Sequence, residues 1–314
     1  MLYRTDLDEP SRAPGEVQVQ VTCAGVCATD LALQRGYMGF RGIPGHEFLG
    51  VALDGPLQGR RVVGDINAAC GECSTCRAGR RSHCPHRTVL GIAGRPGAFA
   101  ERLSLPASNL FPVPDGVADV EAVFAEPLAA ALEIPDQLEF RGGERALVIG
   151  DGRLGLLCAA VLHHAGLEVT VAGRHPERAD LLPPAVSILE GLAESASAGL
   201  PVPERWDLVV EASGNPSALG RALELVRPRG RVVLKTTTER PSTLDLAALV
   251  VDEIQLIGSR CGPFARALEE LARNRLDLSR FVAARYPLSE GRNAFERASD
   301  SGVLKVLIDV PAAQ

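Results

Sequence analysis

The sequence predicts an α/β protein in which a mostly-β part is combined with a doubly wound parallel sheet. Apolar and polar residues alternate from Val17 to Cys23, which is the period of a half-buried strand. Further along, the apolar run 145–149 leads into a glycine-rich turn at residues 150–155, and helical spacing follows. With 314 residues and 46% apolar content, the chain is long enough for two domains with buried cores.

The composition excludes several classes of partner. A formal net charge of -6 and a pI near 5.6 leave no basic surface to gather phosphates, so we expect no nucleic-acid partner. No apolar run is long enough to cross a bilayer, and the acidic residues 1–9 lack the apolar core of a secretion signal, so we expect no membrane partner. Four of the eight cysteines are clustered at metal-ligand spacing, which suits a reducing compartment and predicts a cytoplasmic protein.

The first part of the chain is predicted to be mostly β. The alternating run places Cys23 on the apolar face of its strand, where it belongs to the core. A short helical piece and a glycine-rich loop are expected after Asp30. Residues 60–65 and 98–103 are predicted as further strands.

Two short motifs in this part form a candidate catalytic metal site. The chain contains Gly-Val-Cys27-Ala-Thr29-Asp30 and, later, Pro-Gly-His46-Glu47. A thiolate, an imidazole and a carboxylate form a ligand set that Zn²⁺ accepts while it keeps a fourth position open for substrate. One Cys and one His at this separation are, taken alone, more often unrelated core residues. Here both lie in glycine-containing turns with carboxylates close behind them, which favours the metal site.

A second group of cysteines indicates another metal ion. Cys70, Cys73, Cys76 and Cys84 lie within fifteen residues of polar loop. Such a loop cannot fold by burying apolar side chains, so we expect a closed tetrahedral Cys₄ zinc to hold it. The alternative is an iron–sulfur cluster, because the spacing is similar to a ferredoxin run, although its last interval is longer than that run requires.

The middle of the chain is predicted to alternate strands with helices and to bind a dinucleotide. In the match Gly150-x-Gly152-x-x-Gly155, the glycines permit the turn, the approach of a pyrophosphate and the packing of helix on strand, respectively. Arg153 and Leu154 open the helix, whose N-terminus faces the negative charge. Further strands are predicted at residues 168–172, 206–211, 231–235 and 254–258.

The end of the second strand of this sheet bears on the choice of dinucleotide. NAD sites usually present an acid about twenty residues after the fingerprint. This chain has Gly173-Arg174-His175 there. Because no carboxylate follows the strand to repel a 2′-phosphate and Arg174 can bind one, NADP is predicted, with NAD as the alternative. Arg178 belongs to the same candidate set, although both arginines could instead be solvated surface charges.

The order of these motifs resembles the zinc-dependent medium-chain dehydrogenase/reductase superfamily, and most of all its alcohol, polyol and threonine dehydrogenase branch. The two zinc motifs, the four-cysteine lobe, Glu126-Pro-Leu and the nucleotide-binding part carry the resemblance over nearly the whole chain. It implies a GroES-like catalytic domain at residues 1–117 and 262–314, with a structural zinc lobe at 68–86. It also implies a Rossmann domain at residues 118–261.

The resemblance implies one catalytic and one structural zinc ion. Cys27 and His46 would be ligands of the catalytic ion, with either Glu47 or Glu126 as the third, and Asp30 would orient the imidazole. The four clustered cysteines would hold the structural ion.

The resemblance also implies roles outside the metal ligands. Thr29 would be the inner end of a proton relay, while Ala32 stands where some members have a relay histidine. The segment Ala212-Ser213-Gly214 is similar to the loop that lies over the cofactor, and Lys235 ends a strand that can touch it. Members are commonly homodimers or homotetramers, and we expect the same here.

Together these assignments predict a zinc-dependent oxidoreductase that transfers a hydride between NAD(P) and a secondary alcohol, polyol or hydroxylated metabolite. Zinc can lower the pKa of water from about 15.7 to about 7, or about 12 kcal/mol, whereas a hydrogen bond to a charged group supplies about 1.5–3 kcal/mol. Two alternatives stay open at this point. One is a zinc-free quinone or enoyl reductase of the same fold, which needs neither Cys27 nor His46. The other is an iron–sulfur or redox-sensing protein that binds nucleotide without catalysis.

Overall fold

The protein is described by a computed structural model over residues 2–192, 205–237, 244 and 246–311. These residues form two compact units. The first comprises the described residues of Met1–Glu126 and Phe264–Gln314, and the second those of Pro127–Pro263. The first unit contains a mixed β-sheet and the second a parallel one, which confirms the predicted fold class.

The strands of the described residues are, in chain order, β1 (Glu16–Gly25), β2 (Glu47–Ala52), β3 (Arg61–Gly64), β4 (Asn67–Ala68), β5 (Thr88–Leu90), β6 (Gly94–Arg95), β7 (Arg102–Pro106), β8 (Leu110–Pro112), β9 (Arg145–Ile149), β10 (Glu168–Gly173), β11 (Ser187–Glu190), β12 (Trp206–Glu211), β13 (Val226–Leu234), β14 (Gln255–Gly258), β15 (Val282–Pro287) and β16 (Lys305–Asp309). The α-helices are α1 (Ala28–Gln34), α2 (Ser74–Arg77), α3 (Asp119–Ala122), α4 (Ala125–Gln137), α5 (Arg153–His164), α6 (Ala218–Leu225), α7 (Leu246–Val251), α8 (Phe264–Ala272) and α9 (Gly291–Ser299). Every helix among these residues is too short or too polar to cross a lipid bilayer.

The first unit is built around β1, the strand that the alternating sequence predicts. The strand order of its main sheet is β15-β16-β1-β2-β3-β8, and β7 also pairs with β1. Val17, Val19 and Val21 are buried in its core. Antiparallel pairing sets Gly25 opposite both Glu47 on β2 and Leu307 on β16. Three distant parts of the sequence therefore meet at the end of β1.

The strand predicted at residues 98–103 is wrong in its first part. The structure has no strand at residues 98–101, and β7 begins only at Arg102. The backbone N–H groups of Ala98 and Phe99 donate instead to the carbonyls of Gly45 and Pro44, at 2.8 and 3.1 Å. The alternation of apolar residues is present, but the N–H groups of Ala98 and Phe99 brace this turn, and the contact with β1 begins at Glu101, whose carbonyl accepts from the backbone N–H of Val21 at 2.9 Å.

The second unit is a six-stranded sheet in the order β11-β10-β9-β12-β13-β14, and all of its pairs are parallel. Leu147, Val209 and Val232 are fully buried in its core, as expected for strands covered on both faces. The strand order reverses between β9 and β12. The glycine-rich turn follows β9 and therefore lies at the switch point where such sheets bind ligands.

Candidate metal centres and nucleotide-binding site

The catalytic metal candidate lies where β1 ends and β2 begins. Cys27 directly precedes α1, His46 directly precedes β2, and Glu47 is the first residue of β2. The sulfur of Cys27, a ring nitrogen of His46 and a carboxylate oxygen of Glu47 lie within 4.8 Å of one another. His46 and Glu47 are buried, while Cys27 is half-buried. The structure thus brings these three predicted residues together.

Asp30 ties the two motifs to each other. Its fully buried carboxylate accepts hydrogen bonds from the backbone N–H of Cys27 at 2.8 Å and from that of Gly45 at 3.1 Å. The Nδ1 atom of His46 lies 3.2 Å from Oδ1 of Asp30, although it is not aligned as a hydrogen bond. Because Nδ1 faces this carboxylate, Nε2 is the ring nitrogen that can bind a metal.

The turn before His46 is packed so tightly that it requires glycine. Gly45 has φ of +100°, a conformation that side chains disfavour, and a Cβ atom there would lie 2.9 Å from the backbone nitrogen of Phe99. A Cβ atom on Gly91 or Gly97 would lie 2.2 or 2.4 Å from the carbonyl oxygen of Gly45. Backbone-to-backbone packing of this turn therefore fixes the position of His46.

The charges around His46 favour a cation at this place. Burial alone disfavours the charged imidazole, but the carboxylate of Asp30 and the sulfur of Cys27 outweigh it and raise the pKa of His46 well above its usual range. The groups around His46 therefore favour a positive charge at this place. A zinc ion held by Nε2 of a neutral imidazole would supply that charge, and the mixed S/N/O donor set fits zinc.

The carboxylate of Glu47 is also paired with an ammonium group. Lys305, on β16, forms a salt bridge with Oε2 of Glu47, and neither side chain is exposed. The Nζ atom of Lys305 lies 5.4 Å from the centre of the Phe124 ring. A Cβ atom on Gly25 would lie 2.6 Å from Oε2 of Glu47 and 2.9 Å from this Nζ atom. The pair therefore fits only because residue 25 has no side chain.

The two other predicted catalytic residues lie in separate settings. The hydroxyl oxygen of the half-buried Thr29 is 4.0 Å from the sulfur of Cys27, beside the candidate zinc ligand. Glu126 is half-buried in the first turn of α4. Among the described residues, it does not belong to either group of potential metal ligands.

The four cysteines of the polar loop converge in the geometry of a single tetrahedral ion. The sulfur of Cys73 lies 3.5 Å from that of Cys76 and 3.8 Å from that of Cys84. The sulfur of Cys70 lies 3.9 Å from that of Cys76 and 3.5 Å from that of Cys84. Four thiolates at about 2.3 Å from one zinc would be about 3.8 Å apart. The residues fit one zinc ion and leave little room for an iron–sulfur cluster.

The pKa values of these thiols are shifted in different directions, and burial raises that of Cys76 to about 12. A hydrogen bond from the backbone at Cys76 lowers the pKa of Cys73 to about 6. All four cysteines are free of disulfide bonds.

The glycine fingerprint has the conformation that its spacing predicts. Gly150 has φ of +111°, and a Cβ atom there would lie 2.8 Å from Cα of Ser213. A Cβ atom on Gly155 would lie 2.0 Å from the carbonyl oxygen of Gly150, so the helix packs directly on the turn. Around Gly152, by contrast, a Cβ atom would meet open space. Arg153 and Leu154 begin α5, whose N-terminus can therefore face a phosphate.

The turn after β10 is organised by an acid of the fingerprint itself. Oδ2 of Asp151 accepts hydrogen bonds from the backbone N–H groups of Arg174 and His175, at 2.8 and 2.7 Å. Arg178 is buried and donates to the carbonyl oxygen of Asp151 at 2.7 Å, so it is not a solvated surface charge. Arg174 is exposed, and Gly173 is buried at the end of β10.

The remaining predicted cofactor residues make contacts within the second unit. Ser213 donates through its N–H and its hydroxyl to Oε1 of Glu211, at 2.8 and 2.6 Å, and lies between the buried Ala212 and the exposed Gly214. Lys235 is buried and donates to the hydroxyl oxygen of Ser259 at 3.1 Å.

Two residues of the site were missed by the sequence reasoning. Asp151 stands between the first two glycines of the fingerprint. The signal that could have pointed to it is an acidic residue within a turn that is expected to bind phosphate. Lys305 is a single cation within an otherwise apolar closing strand, which marks a buried charge that needs a partner.

Two family models match consecutive parts of the chain. Residues 13–115 match the alcohol dehydrogenase GroES-like domain family, and residues 125–310 match the glucose dehydrogenase C-terminus family. The second match alone covers more than half of the chain. The chain belongs to the zinc-containing medium-chain dehydrogenases.

Individual members of this family are similar along nearly their whole length. The L-threonine 3-dehydrogenase of Streptomyces avermitilis is 31% identical, over 98% of this chain and 96% of its own. A candidate zinc-binding dehydrogenase from Sinorhizobium meliloti bound to NADP is 25% identical, with a TM-score of 0.84 over 96% and 94% of the two chains. A short-chain alcohol dehydrogenase from Escherichia coli complexed with NADH is 26% identical, with a TM-score of 0.85 over the same shares.

This medium-chain dehydrogenase is a zinc-containing, NAD(P)-dependent oxidoreductase of alcohols or polyols. It has both the Cys₄ group of the structural zinc and the Cys-His-Glu group of the catalytic zinc. The zinc-free reductase would need neither Cys27 nor His46, whereas the structure brings both of them together with Glu47.

Proposed function

We propose that this enzyme is an NADP-preferring dehydrogenase that interconverts a secondary alcohol, polyol or other hydroxylated metabolite with the corresponding carbonyl compound. The observation that carries the proposal is the convergence of Cys27, His46 and Glu47 within 4.8 Å in a chain that also has the dinucleotide fingerprint. A hydroxylated metabolite is favoured because the L-threonine dehydrogenase named above is similar over almost the whole chain.

The proposed ligands of the catalytic zinc are Cys27, His46 and Glu47. Glu47 is preferred to Glu126 because its carboxylate oxygen belongs to the same compact group as the other two donors. When bound, zinc supplies Lewis acidity that lowers the pKa of a substrate hydroxyl. The fourth position is left for substrate, as in other catalytic zinc sites.

The neighbouring residues of the chain hold this site and move the proton. Asp30 fixes the backbone of both motifs, and its carboxylate faces Nδ1 of His46, which leaves Nε2 for the metal. Thr29 is the proposed first acceptor of the substrate proton, since its hydroxyl lies beside Cys27. Because Ala32 cannot carry the proton further, the cofactor ribose hydroxyls and water are the proposed exit route.

The preference for NADP rests on the turn after β10. The exposed guanidinium of Arg174 is available to a 2′-phosphate at the end of this strand. Gly152 has open space beside it, and α5 begins at the next residue, which together suit the pyrophosphate. Ala212, Ser213, Gly214 and Lys235 are the proposed neighbours of the rest of the cofactor.

The proposed assembly is a homodimer or a homotetramer in the cytoplasm. Four large apolar side chains of the second unit are exposed on α7 and on the edge strand β14, namely Leu246, Val250, Val251 and Leu256. Covering such a surface with a second copy would remove both the apolar area and the open edge. Sedimentation velocity measures the assembly directly, and a monomer at micromolar concentration would contradict it.

The decisive test is Cys27→Ser combined with metal analysis. We expect about two zinc ions per wild-type chain and about one in the variant, with turnover abolished and NADPH affinity nearly unchanged. Cys261→Ser, at a half-buried cysteine outside both metal groups, is the matched control. A screen of alcohols and polyols by nicotinamide absorbance with both cofactors identifies the substrate. Undiminished turnover in Cys27→Ser would rule out the proposed site.

A further inference from the structure

Asp151 places a carboxylate at the end of β10, although it belongs to the fingerprint turn. A Cβ atom on Gly173 would lie 2.6 Å from Cβ and 2.7 Å from Oδ2 of Asp151. The side chain of Asp151 therefore fills the space that a side chain at position 173 would occupy. An acid is present at this strand end after all, but it comes from a residue 22 positions earlier in the sequence.

The carboxylate of Asp151 binds almost entirely to donors of the protein itself. Oδ2 of Asp151 accepts from the backbone N–H groups of Arg174 and His175 and lies 2.9 Å from Nδ1 of His175. Oδ1 lies 3.4 Å from the guanidinium of Arg178. Asp151 and Arg178 are only 6% and 8% exposed. Burial raises the pKa of Asp151, but these donors outweigh it and lower the pKa below its usual value, so the carboxylate is ionised.

The hydrogen bonds distinguish this arrangement from an ordinary NAD site. In such a site the strand-end acid accepts hydrogen bonds from the ribose hydroxyls. Here Oδ2 already has three donors, and the negative charge is balanced by Arg178. The guanidinium of Arg174 at the same turn is exposed, and a guanidinium is suited to bind a phosphate. Asp151 therefore fixes the backbone of the turn after β10, and this turn carries the exposed guanidinium of Arg174.

We propose that Asp151 is a positioning residue for the 2′-phosphate of NADP, which acts by fixing the backbone of Arg174 and His175. This inference rests on the NADP preference proposed above. In this proposal Arg174 contacts the phosphate, and Asp151 determines whether Arg174 is in position to do so. It also explains why residue 173 is glycine, because any side chain there would displace the carboxylate.

The test measures the dissociation constants of NADPH and NADH by fluorescence titration of the zinc-loaded enzyme. We expect Asp151→Ala to weaken NADPH about tenfold while NADH changes by less than about threefold. Asp151→Asn keeps an oxygen that accepts from the backbone N–H groups, so its loss for NADPH should be smaller than that of Asp151→Ala. Glu177→Gln, on the exposed surface two residues after His175, is the control for the change of charge.

A second variant is expected to displace the carboxylate of Asp151 without removing it. In Gly173→Ala the added methyl group must displace the side chain of Asp151, so a selective loss of NADPH is expected again. An unchanged ratio of the two affinities in both Asp151→Ala and Gly173→Ala would overturn the inference. A tighter NADPH complex in Asp151→Ala would also overturn it, because the acid would then be repelling the phosphate.

The same titrations separate this inference from the proposed NADP preference. The wild-type ratio tests the preference alone, and tighter binding of NADH would contradict it. The change of the ratio on substitution tests the role of Asp151. A selective loss of NADPH affinity in Asp151→Ala upholds that role whichever cofactor the wild-type enzyme prefers.

Discussion

Lys305 and Glu47 form a fully buried ion pair beside the candidate catalytic zinc. Neither side chain is exposed, and the two residues are 258 positions apart in the sequence. The carboxylate therefore has the ammonium group as a positive partner within the fold, and a zinc ion bound at this site would be a second one. Because the ammonium balances its charge, Glu47 can remain ionised in the protein core whether or not it binds the metal.

Removing the ammonium should be costly. We expect Lys305→Met to lower the free energy of unfolding by about 3–5 kcal/mol, since it leaves the carboxylate of Glu47 buried without that partner. Urea unfolding of the variant measures this loss. The double variant Lys305→Met/Glu47→Gln should be more stable than Lys305→Met alone, and strictly additive losses would show that the two residues are not coupled.

The turn before His46 should be sensitive to one methyl group. Gly91→Ala would place Cβ 2.2 Å from the carbonyl oxygen of Gly45 and should displace His46, leaving about one zinc per chain instead of about two. Gly59→Ala is the matched control, because Gly59 has a similar positive φ but open space around it. We expect the control to lose about 1–2 kcal/mol of stability and to keep both ions. Full zinc occupancy in Gly91→Ala would contradict the role of this turn.

The four-cysteine lobe should depend on its zinc for order. We expect Cys84→Ser to retain about one zinc per chain and to lower the thermal midpoint by about 5 °C or more, because the polar loop has little apolar surface of its own. Metal analysis and calorimetry measure the two effects. Cys158→Ser changes a buried cysteine outside both metal groups, and it should keep both ions. A Cys84→Ser variant with two tightly bound zinc ions would exclude the proposed ligand set.

The stability of the second unit should depend on pH through Asp207. Burial raises the pKa of Asp207, but the backbone N–H of Arg145 and the guanidinium of Arg227 outweigh it and lower the pKa below its usual value. A carboxyl group with a lowered folded-state pKa stabilises the protein above its unfolded pKa of about 3.9. That stabilisation is lost as the pH falls through the folded value.

We therefore expect Asp207→Asn to lower the free energy of unfolding by about 1–2 kcal/mol at pH 7 and by progressively less below about pH 4. Urea titrations over a series of pH values measure the difference from wild type. The exposed Glu177→Gln supplies the control for a surface charge. A difference that stays constant down to pH 3 would contradict the assignment.

The sequence predicted those parts of the fold and site that depend on neighbouring residues. The alternation over β1, the fingerprint at Gly150 and the spacing of the four cysteines are each contained in one short segment. Lys305 and Asp151 were missed because their partners lie far away in the sequence, and a lone charge does not reveal what it contacts. Residues 98–101 were wrongly predicted as strand for a related reason, since the N–H groups of Ala98 and Phe99 donate to the distant turn at Gly45.

The distance between Glu47 and Lys305 along the chain has a consequence for biosynthesis. A ribosome completes β1, β2 and both groups of zinc ligands long before it reaches β16, and the whole parallel sheet is translated in between. During that interval the nascent polypeptide has the carboxylate but not the ammonium that neutralises it. Zinc captured early would supply a positive charge beside Glu47 before Lys305 is made, so zinc supply during translation should influence how much of the newly made enzyme matures correctly.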